Sequence, residues 1–94
     1  MFDITKKDDS TVILSGRFDA AQTNRAESLF SDINASCTVD FTNLEYISSA
    51  GLGVLIATYK RLNKSGFNMK LINMSNHIKD IFHYARLDKI FDIQ

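Results

Sequence analysis

The sequence has 94 residues, of which 45% are hydrophobic and 23% charged, with four glycines and no proline. This length and composition fit one globular domain and exclude disordered, collagen-like and low-complexity classes. Eleven basic residues balance eleven acidic ones, so we expect no nucleic-acid partner, because phosphate-backbone binding shows as a clustered basic excess.

The single cysteine and the N-terminal residues limit the class of protein further. Cys37 cannot form an internal disulfide or a multi-cysteine metal site, and its apolar neighbours favour a position in the core. Residues 1–9 lack the apolar stretch of a signal peptide, and no segment approaches the roughly 20 apolar residues of a membrane span. We expect one domain over residues 1–94, cytoplasmic and without a membrane partner.

The N-terminal residues predict a β-hairpin followed by a helix. Apolar, β-rich runs at 2–5 and 11–14 flank a polar turn, which is typical of two antiparallel strands. Asp19 is a suitable helix N-cap, with Gln22 placed to reach back to it. The helix itself is indicated by apolar residues at i, i+3, i+4 and i+7: Ala26, Leu29, Phe30 and Ile33.

The remaining residues predict strands that alternate with helices. Residues 38–41 and 46–47 indicate a strand and its continuation, and Met69–Ile72 a further strand, with a last short strand at 90–93. Two helices lie between them, with apolar stripes at Leu52, Leu55, Ile56, Tyr59 and Leu62, and at Ile78, Ile81, Phe82 and Ala85. Gly66 is suited to end the first and Ser75 to cap the second. The pattern predicts an α/β domain, a mixed sheet with helices packed on it.

The segment from Tyr46 to Gly53 contains the most informative pattern, a strand end that runs into a helix start. Ser48 and Ser49 are natural helix caps there, but the same free N–H groups and helix dipole also favour a phosphate. Gly51 and Gly53 each cost about 1 kcal/mol against alanine in a helix. Another element of the fold, or a partner, therefore approaches this backbone closely.

The face of this helix opposite its apolar stripe is also unusual. It carries Ala50, Val54, Ala57 and Arg61, beside Gly53 and Lys64. For its first two turns this face is small and apolar, where a surface helix is normally polar. Either the fold buries both faces, or this face is a docking patch beside the serines. We prefer the docking patch.

Complete catalytic patterns are absent from the sequence. There is no Gly-x-Ser-x-Gly elbow, no phosphate-cradling Gly-Lys-Ser/Thr loop and no full dinucleotide fingerprint. His77 and His83 stand six apart and so face different sides of a helix, which is wrong for shared metal ligation. Asp19 and Asp40 are the acids that could meet near Ser49, with capping or loop roles as the alternative. We expect no enzyme activity, no metal and no cofactor.

Several segments resemble the anti-sigma factor antagonists, a family of bacterial STAS domains. Val39-Asp40-Phe41, followed by residues 46–55, looks like their phosphorylation-site signature. Gly16-Arg17-Phe18-Asp19 resembles their Gly-x-x-Asp loop, and residues 71–75 and 87–91 resemble their closing strand–helix–strand pattern. The resemblance covers essentially the whole chain and implies a STAS-like sheet of four to five strands with three main helices.

The resemblance also implies a function, in which partners are switched by phosphorylation. Family members are non-enzymatic; unphosphorylated, they bind an anti-sigma factor that is also a serine kinase and so release the sigma factor. The kinase then phosphorylates a serine that follows aspartate in Asp-Ser-x-Gly-Leu, and a PP2C-type phosphatase removes the phosphate. That serine corresponds to Ser49, although Ser48 replaces the usual aspartate and adds a second candidate hydroxyl.

From this interpretation we expect Ser49, rather than Ser48, to be the phosphorylated residue. The residues expected to bind the partner are Asp19, Ser48, Ala50, Gly51, Gly53, Val54, Ala57 and Arg61. Two alternatives stay open. One is an unphosphorylated STAS subunit of a lipid or anion transporter, and the other is a small nucleotide-binding module.

Overall fold

A computed structural model describes residues 1–94. Five strands form one sheet: β1 (Phe2–Asp8), β2 (Thr11–Phe18), β3 (Cys37–Ile47), β4 (Met69–Ile72) and β5 (Asp92–Ile93). Three helices connect them: α1 (Thr23–Ser31), α2 (Ser49–Lys64) and α3 (Asn76–Tyr84). A short 3₁₀ turn, Ala20–Gln22, precedes α1.

The strands are ordered β1-β2-β3-β4-β5 across the sheet. β1 and β2 pair antiparallel, which confirms the predicted hairpin, and the other neighbours pair parallel. Each parallel connection contains a helix, as parallel pairing requires. The predicted α/β class, with a mixed sheet of up to five strands and three main helices, is confirmed.

The core lies on one face of the sheet. Successive side chains of a strand point to opposite faces, and the fully buried set on β2, β3 and β4 occupies alternate positions: Val12, Leu14, Val39, Phe41, Met69 and Leu71. Helical side chains including Phe30, Leu55 and Phe82 complete this cluster. The intervening strand residues, such as Thr38 and Lys70, are half-buried. The helices therefore cover one face and position the start of α2 at the carboxyl end of β3.

Several element boundaries differ from the sequence predictions. Asp19 caps the 3₁₀ turn, accepting from the Ala21 N–H at 3.1 Å, and α1 begins later, at Thr23. β3 runs unbroken through Thr42 and Asn43, because two irregularities in its pairing with β2 absorb the polar residues. Ala85 follows the end of α3 and is exposed, so it is not part of the buried stripe.

Candidate functional site

The two serines occupy different structural positions at the start of α2. Ser48 is the N-cap: its backbone is extended, and its Oγ accepts a hydrogen bond from the Gly51 N–H at 3.1 Å. The Ser48 N–H donates to the Phe18 carbonyl at 2.9 Å, which fixes the chain against the end of β2. The hydroxyl of Ser48 is therefore occupied by the fold.

Ser49 is the first residue of α2 and is exposed. The first N–H groups of any helix lack partners within the helix. At this helix start the Gly51 N–H is bonded to Ser48, whereas the amides of Ser49 and Ala50 have no protein partner. Free amides and the positive end of the helix dipole stabilise a nearby anion. The structure thus leaves the Ser49 hydroxyl accessible at a place that suits a phosphate.

The two glycines near the serines have different environments. A Cβ atom at Gly51 would lie 2.9 Å from Ile47 Cγ1 and 3.1 Å from the Phe18 carbonyl oxygen, which is tighter than side chains normally allow. Gly51 is therefore required by the fold itself, because β2 and β3 approach it. A Cβ atom at Gly53 would meet nothing within 4 Å, so the fold gives no steric reason for this glycine.

The predicted apolar docking face is only partly exposed. Ala50, Gly53 and Ala57 are exposed, as the patch requires. Val54 is only 5% exposed, so the prediction that it forms part of an open patch is wrong. The physical reason is that α1 packs beside α2 and covers the Val54 side of the helix. Gly51, a predicted partner-binding residue outside that patch, is buried as well.

A shallow groove remains between these two helices, which we call the α1–α2 groove. It is lined by Gly53, Val54 and Ala57 on α2 and by Glu27, Phe30 and Ser31 on α1. Sequence reasoning missed the α1 residues. The signal that could have identified them is the spacing of Glu27 and Ser31, four apart and directly after the buried Ala26 and Phe30.

Arg61 closes one end of the groove. Its guanidinium donates to the Phe30 carbonyl oxygen at 2.7 Å and to Asn34 Oδ1 at 3.1 Å. These bonds tie the last turns of α2 to the end of α1. The partner-binding role of Arg61 stays a prediction; in the free domain two donors of this exposed side chain stabilise the fold.

The two candidate acids are separated by the structure. Asp19 directly follows Phe18, whose carbonyl holds Ser48, so it lies at the same sheet edge as the serines. Asp40 pairs with Ile13, five residues before Phe18 along β2, which places it about 16 Å from that edge. The prediction that both acids could meet near Ser49 is therefore wrong for Asp40.

Asp40 instead joins the middle of β3 to the residue that follows β4. Its carboxylate accepts from the Thr42 N–H and hydroxyl, at 2.9 and 2.6 Å, and from the Asn73 amide at 3.2 Å. Partial burial alone would raise the pKa of Asp40, but the bonds from Thr42 and Asn73 and the charge of Lys7 lower it overall. The charged form is the one that holds Asn73, which has a positive φ of 60°.

The remaining reactive side chains lie away from Ser49. Cys37 is buried in the core as predicted, and this burial raises the pKa of its thiol. His83, in the last turn of α3, pairs with Asp88 at 3.0 Å, and this hydrogen bond lowers the pKa of the Asp88 carboxyl. No cluster of three or more potential metal ligands occurs in the chain, and none of its helices has the length and apolar character that crossing a bilayer requires.

The fold is a small α/β domain. A pair of serines lies at the exposed start of its longest helix, beside the carboxyl ends of β2 and β3. The family model described as "Mlab, STAS domain" matches residues 2–93. Because this match covers nearly the whole sequence, the chain belongs to the STAS domain family. The resemblance seen in the sequence is thereby confirmed.

A curated relative carries the function that the resemblance implied. The chain is 34% identical over 59 residues to the anti-sigma-B factor antagonist of Bacillus subtilis (strain 168). The alignment covers 63% of this chain and 54% of the relative, so the chain spans about half the length of that protein.

Solved structures share the fold at lower identity. An anti-sigma factor antagonist from Mycobacterium paratuberculosis superposes with a TM-score of 0.81 at 23% identity, covering 99% of this chain and 83% of that one. The phosphorylated form of the Bacillus cell fate determinant SpoIIAA superposes with a TM-score of 0.71 at 17% identity, covering 100% and 91% of the two chains. At these identities the likeness shows a common fold.

Proposed function

We propose that residues 1–94 form a single STAS domain that acts as an anti-sigma factor antagonist, switched by phosphorylation of Ser49. In its unphosphorylated form it binds an anti-sigma factor that is also a serine kinase, and so releases the sigma factor. That kinase phosphorylates Ser49 and ends the complex, and a PP2C-type phosphatase restores binding. Because the cycle consumes ATP, we place it in the cytoplasm. The domain itself has no catalytic turnover.

The observation that carries the proposal is the different state of the two hydroxyls. Ser48 Oγ caps α2 and accepts from Gly51, whereas Ser49 is exposed at the first helical position with no bond to the fold. A kinase can reach Ser49 without undoing a cap. The name of the Bacillus subtilis relative and the existence of a phosphorylated form of the similar SpoIIAA structure support the same function.

The switch follows from two opposing energies. Phosphate adds about −1.5 to −2 charges at pH 7, and the helix start stabilises that anion by roughly 0.3–1 kcal/mol. A partner that excludes water when it binds over Ala50, Gly53 and Ala57 must instead desolvate the phosphate. This desolvation costs several kcal/mol unless the partner supplies cations. The interface penalty exceeds the intramolecular gain, so phosphorylation ends binding and leaves the fold intact.

The test begins with capture of the partner from source cells by the unphosphorylated protein, followed by its identification and purification. Incubated with ATP, the purified kinase should label the wild-type protein and Ser48→Ala, but not Ser49→Ala. Ser49→Ala should still bind the kinase. Labelling that is lost on Ser48→Ala and kept on Ser49→Ala would assign the acceptor to Ser48.

The docking face has its own matched pair of variants. Ala57→Glu places a charge on the exposed face of α2 and should abolish kinase binding with little change in Tm. Asn76→Glu adds the same charge to the exposed start of α3, outside the docking face, and should bind as the wild type does. A large drop in Tm for Ala57→Glu would show that Ala57 belongs to the core, against the proposal.

A second candidate function is an unphosphorylated STAS subunit that sits on a transporter ATPase. The serine at position 48, where the antagonists usually have aspartate, favours it because it departs from their phosphorylation-site signature. In that case the captured partner would be an ATPase of a membrane transporter, and protein isolated from cells would carry no phosphate on Ser49. The identity of the captured partner, a serine kinase or a transporter ATPase, distinguishes the two functions.

A further inference from the structure

The exposed side of α2 continues beyond the proposed docking face as one stripe. Ser49, Gly53, Ala57, Lys60 and Lys64 follow each other at spacings of four, four, three and four residues, and all are exposed. Such spacing places them on one side of a helix, over a length of about 22 Å. The first part of this stripe is small and uncharged, and the last part is basic.

The charged residues of α2 are all positive and lie at one end of the helix. The helix contains no aspartate or glutamate, and its cations all lie in the last five residues. Arg61 is bonded to α1, whereas neither Lys60 nor Lys64 takes part in an ion pair within the chain. The two lysines therefore present free positive charge beside the α1–α2 groove.

The groove has a negative charge nearer its other end. Glu27 lies on its α1 wall, one turn before the Phe30 carbonyl that Arg61 holds, and so toward the Ser49 end. The Glu27 carboxylate also takes part in no ion pair. Acidic side chains of a ligand segment are therefore repelled at the Ser49 end and attracted at the Lys64 end. A segment with acidic side chains at one of its ends can then bind in one direction along the helix.

Gly53 leaves space at the groove that the fold does not use. Glycine inside a helix is destabilising relative to alanine, and a Cβ atom at this position would meet nothing within 4 Å. Phe30 and Val54 form an apolar floor beside it. The space can receive an apolar side chain that approaches the helix backbone closely.

Resting on the proposed function, we infer that α2 binds an amphipathic segment of the protein partner, with an apolar side chain in the α1–α2 groove at Gly53 and acidic side chains on Lys60 and Lys64. Complementary charge fixes register and increases the association rate. Phosphate on Ser49 then adds negative charge at the end of the stripe where Glu27 already lies. The phosphate therefore strengthens the preference for the orientation that keeps acidic side chains at the Lys64 end.

The test measures binding of the captured and purified kinase by calorimetry at low and high salt. The double variant Lys60→Glu/Lys64→Glu should weaken binding about tenfold or more, and added salt should no longer weaken it further. Lys79→Glu, which reverses an exposed charge on α3, is the matched control and should bind as the wild type does. Gly53→Leu should also weaken binding about tenfold or more while keeping the wild-type circular dichroism spectrum.

A photo-crosslinking residue at position 57 identifies what occupies the groove. It should attach to an apolar partner residue that has aspartate or glutamate within two helical turns. Wild-type binding by both Gly53→Leu and the double lysine variant would overturn the inference and leave the proposed function standing. Failure of the wild-type protein to capture any serine kinase would instead overturn the proposed function, and the inference with it.

Discussion

Gly51 and Gly53 lie two residues apart in α2 and allow the same substitution to be tested in two environments. At Gly51 an alanine Cβ would lie 2.9 Å from Ile47 Cγ1 and 3.1 Å from the Phe18 carbonyl oxygen. Overpacking of this kind costs about 1–3 kcal/mol, against a gain of at most about 1 kcal/mol in helix propensity. We expect Gly51→Ala to lower the free energy of unfolding by about 1 kcal/mol.

Gly53→Ala makes the same chemical change where nothing is within 4 Å. The gain in helix propensity is then unopposed, and we expect the free energy of unfolding to rise by about 1 kcal/mol. The two variants should differ by about 2 kcal/mol, or roughly 8–16 °C in Tm for a domain of this size.

Urea unfolding followed by circular dichroism measures both values. The midpoints should move in opposite directions with an unchanged dependence on urea, which indicates that stability alone has changed. Equal shifts of the same sign would refute the reasoning, because they would show that the neighbours of Gly51 move aside at no cost.

Three further predictions concern single side chains. Ser48→Ala removes the cap of α2 and should cost about 1 kcal/mol of unfolding free energy, whereas Ser49→Ala should stay within about 0.5 kcal/mol of the wild type; equal losses in thermal melts would contradict the assignment of the cap. Arg61→Ala should cost about 1 kcal/mol through its lost bonds to α1, with Lys60→Ala unchanged as the control, and hydrogen exchange should quicken at the end of α1. Asp40→Asn should lower stability by about 1 kcal/mol at pH 7. Because folding lowers the pKa of Asp40, the wild-type advantage exists above the unfolded value near 3.9 and should disappear as pH falls through the folded value; an advantage that persists in acid would contradict this account.

Much of the fold could be predicted because local patterns decided it. The stripe from Leu52 to Leu62 gave α2, the cap residue Ser75 gave the start of α3, and Gly66, with φ of 84°, ends α2 as expected. Each of these signals lies within a few residues of the feature that it specifies.

The errors concern contacts between elements that are distant in the sequence. The sequence places Val54 on an open patch because α2 taken alone shows two apolar faces, and only the packing of α1 reveals that the Val54 side of the second face is covered. The sequence places Asp40 too close to Ser49 because its polar residues 42–43 indicate the end of a short strand, where the structure has one long strand with two pairing irregularities. The difference between Gly51 and Gly53 depends on the approach of Phe18 and Ile47, which no local pattern encodes.

The central claim is that a phosphate on Ser49, and not on Ser48, ends the complex with the kinase partner. The most direct measurement is mass-spectrometric mapping of the phosphate after incubation with that kinase and ATP, combined with a binding assay on the same purified phosphoprotein. The account predicts a single phosphate on Ser49, loss of kinase binding, and amide shifts confined to the start of α2 and the loop of Asp19. A phosphate on Ser48, or undiminished binding by the Ser49-phosphorylated protein, would contradict it.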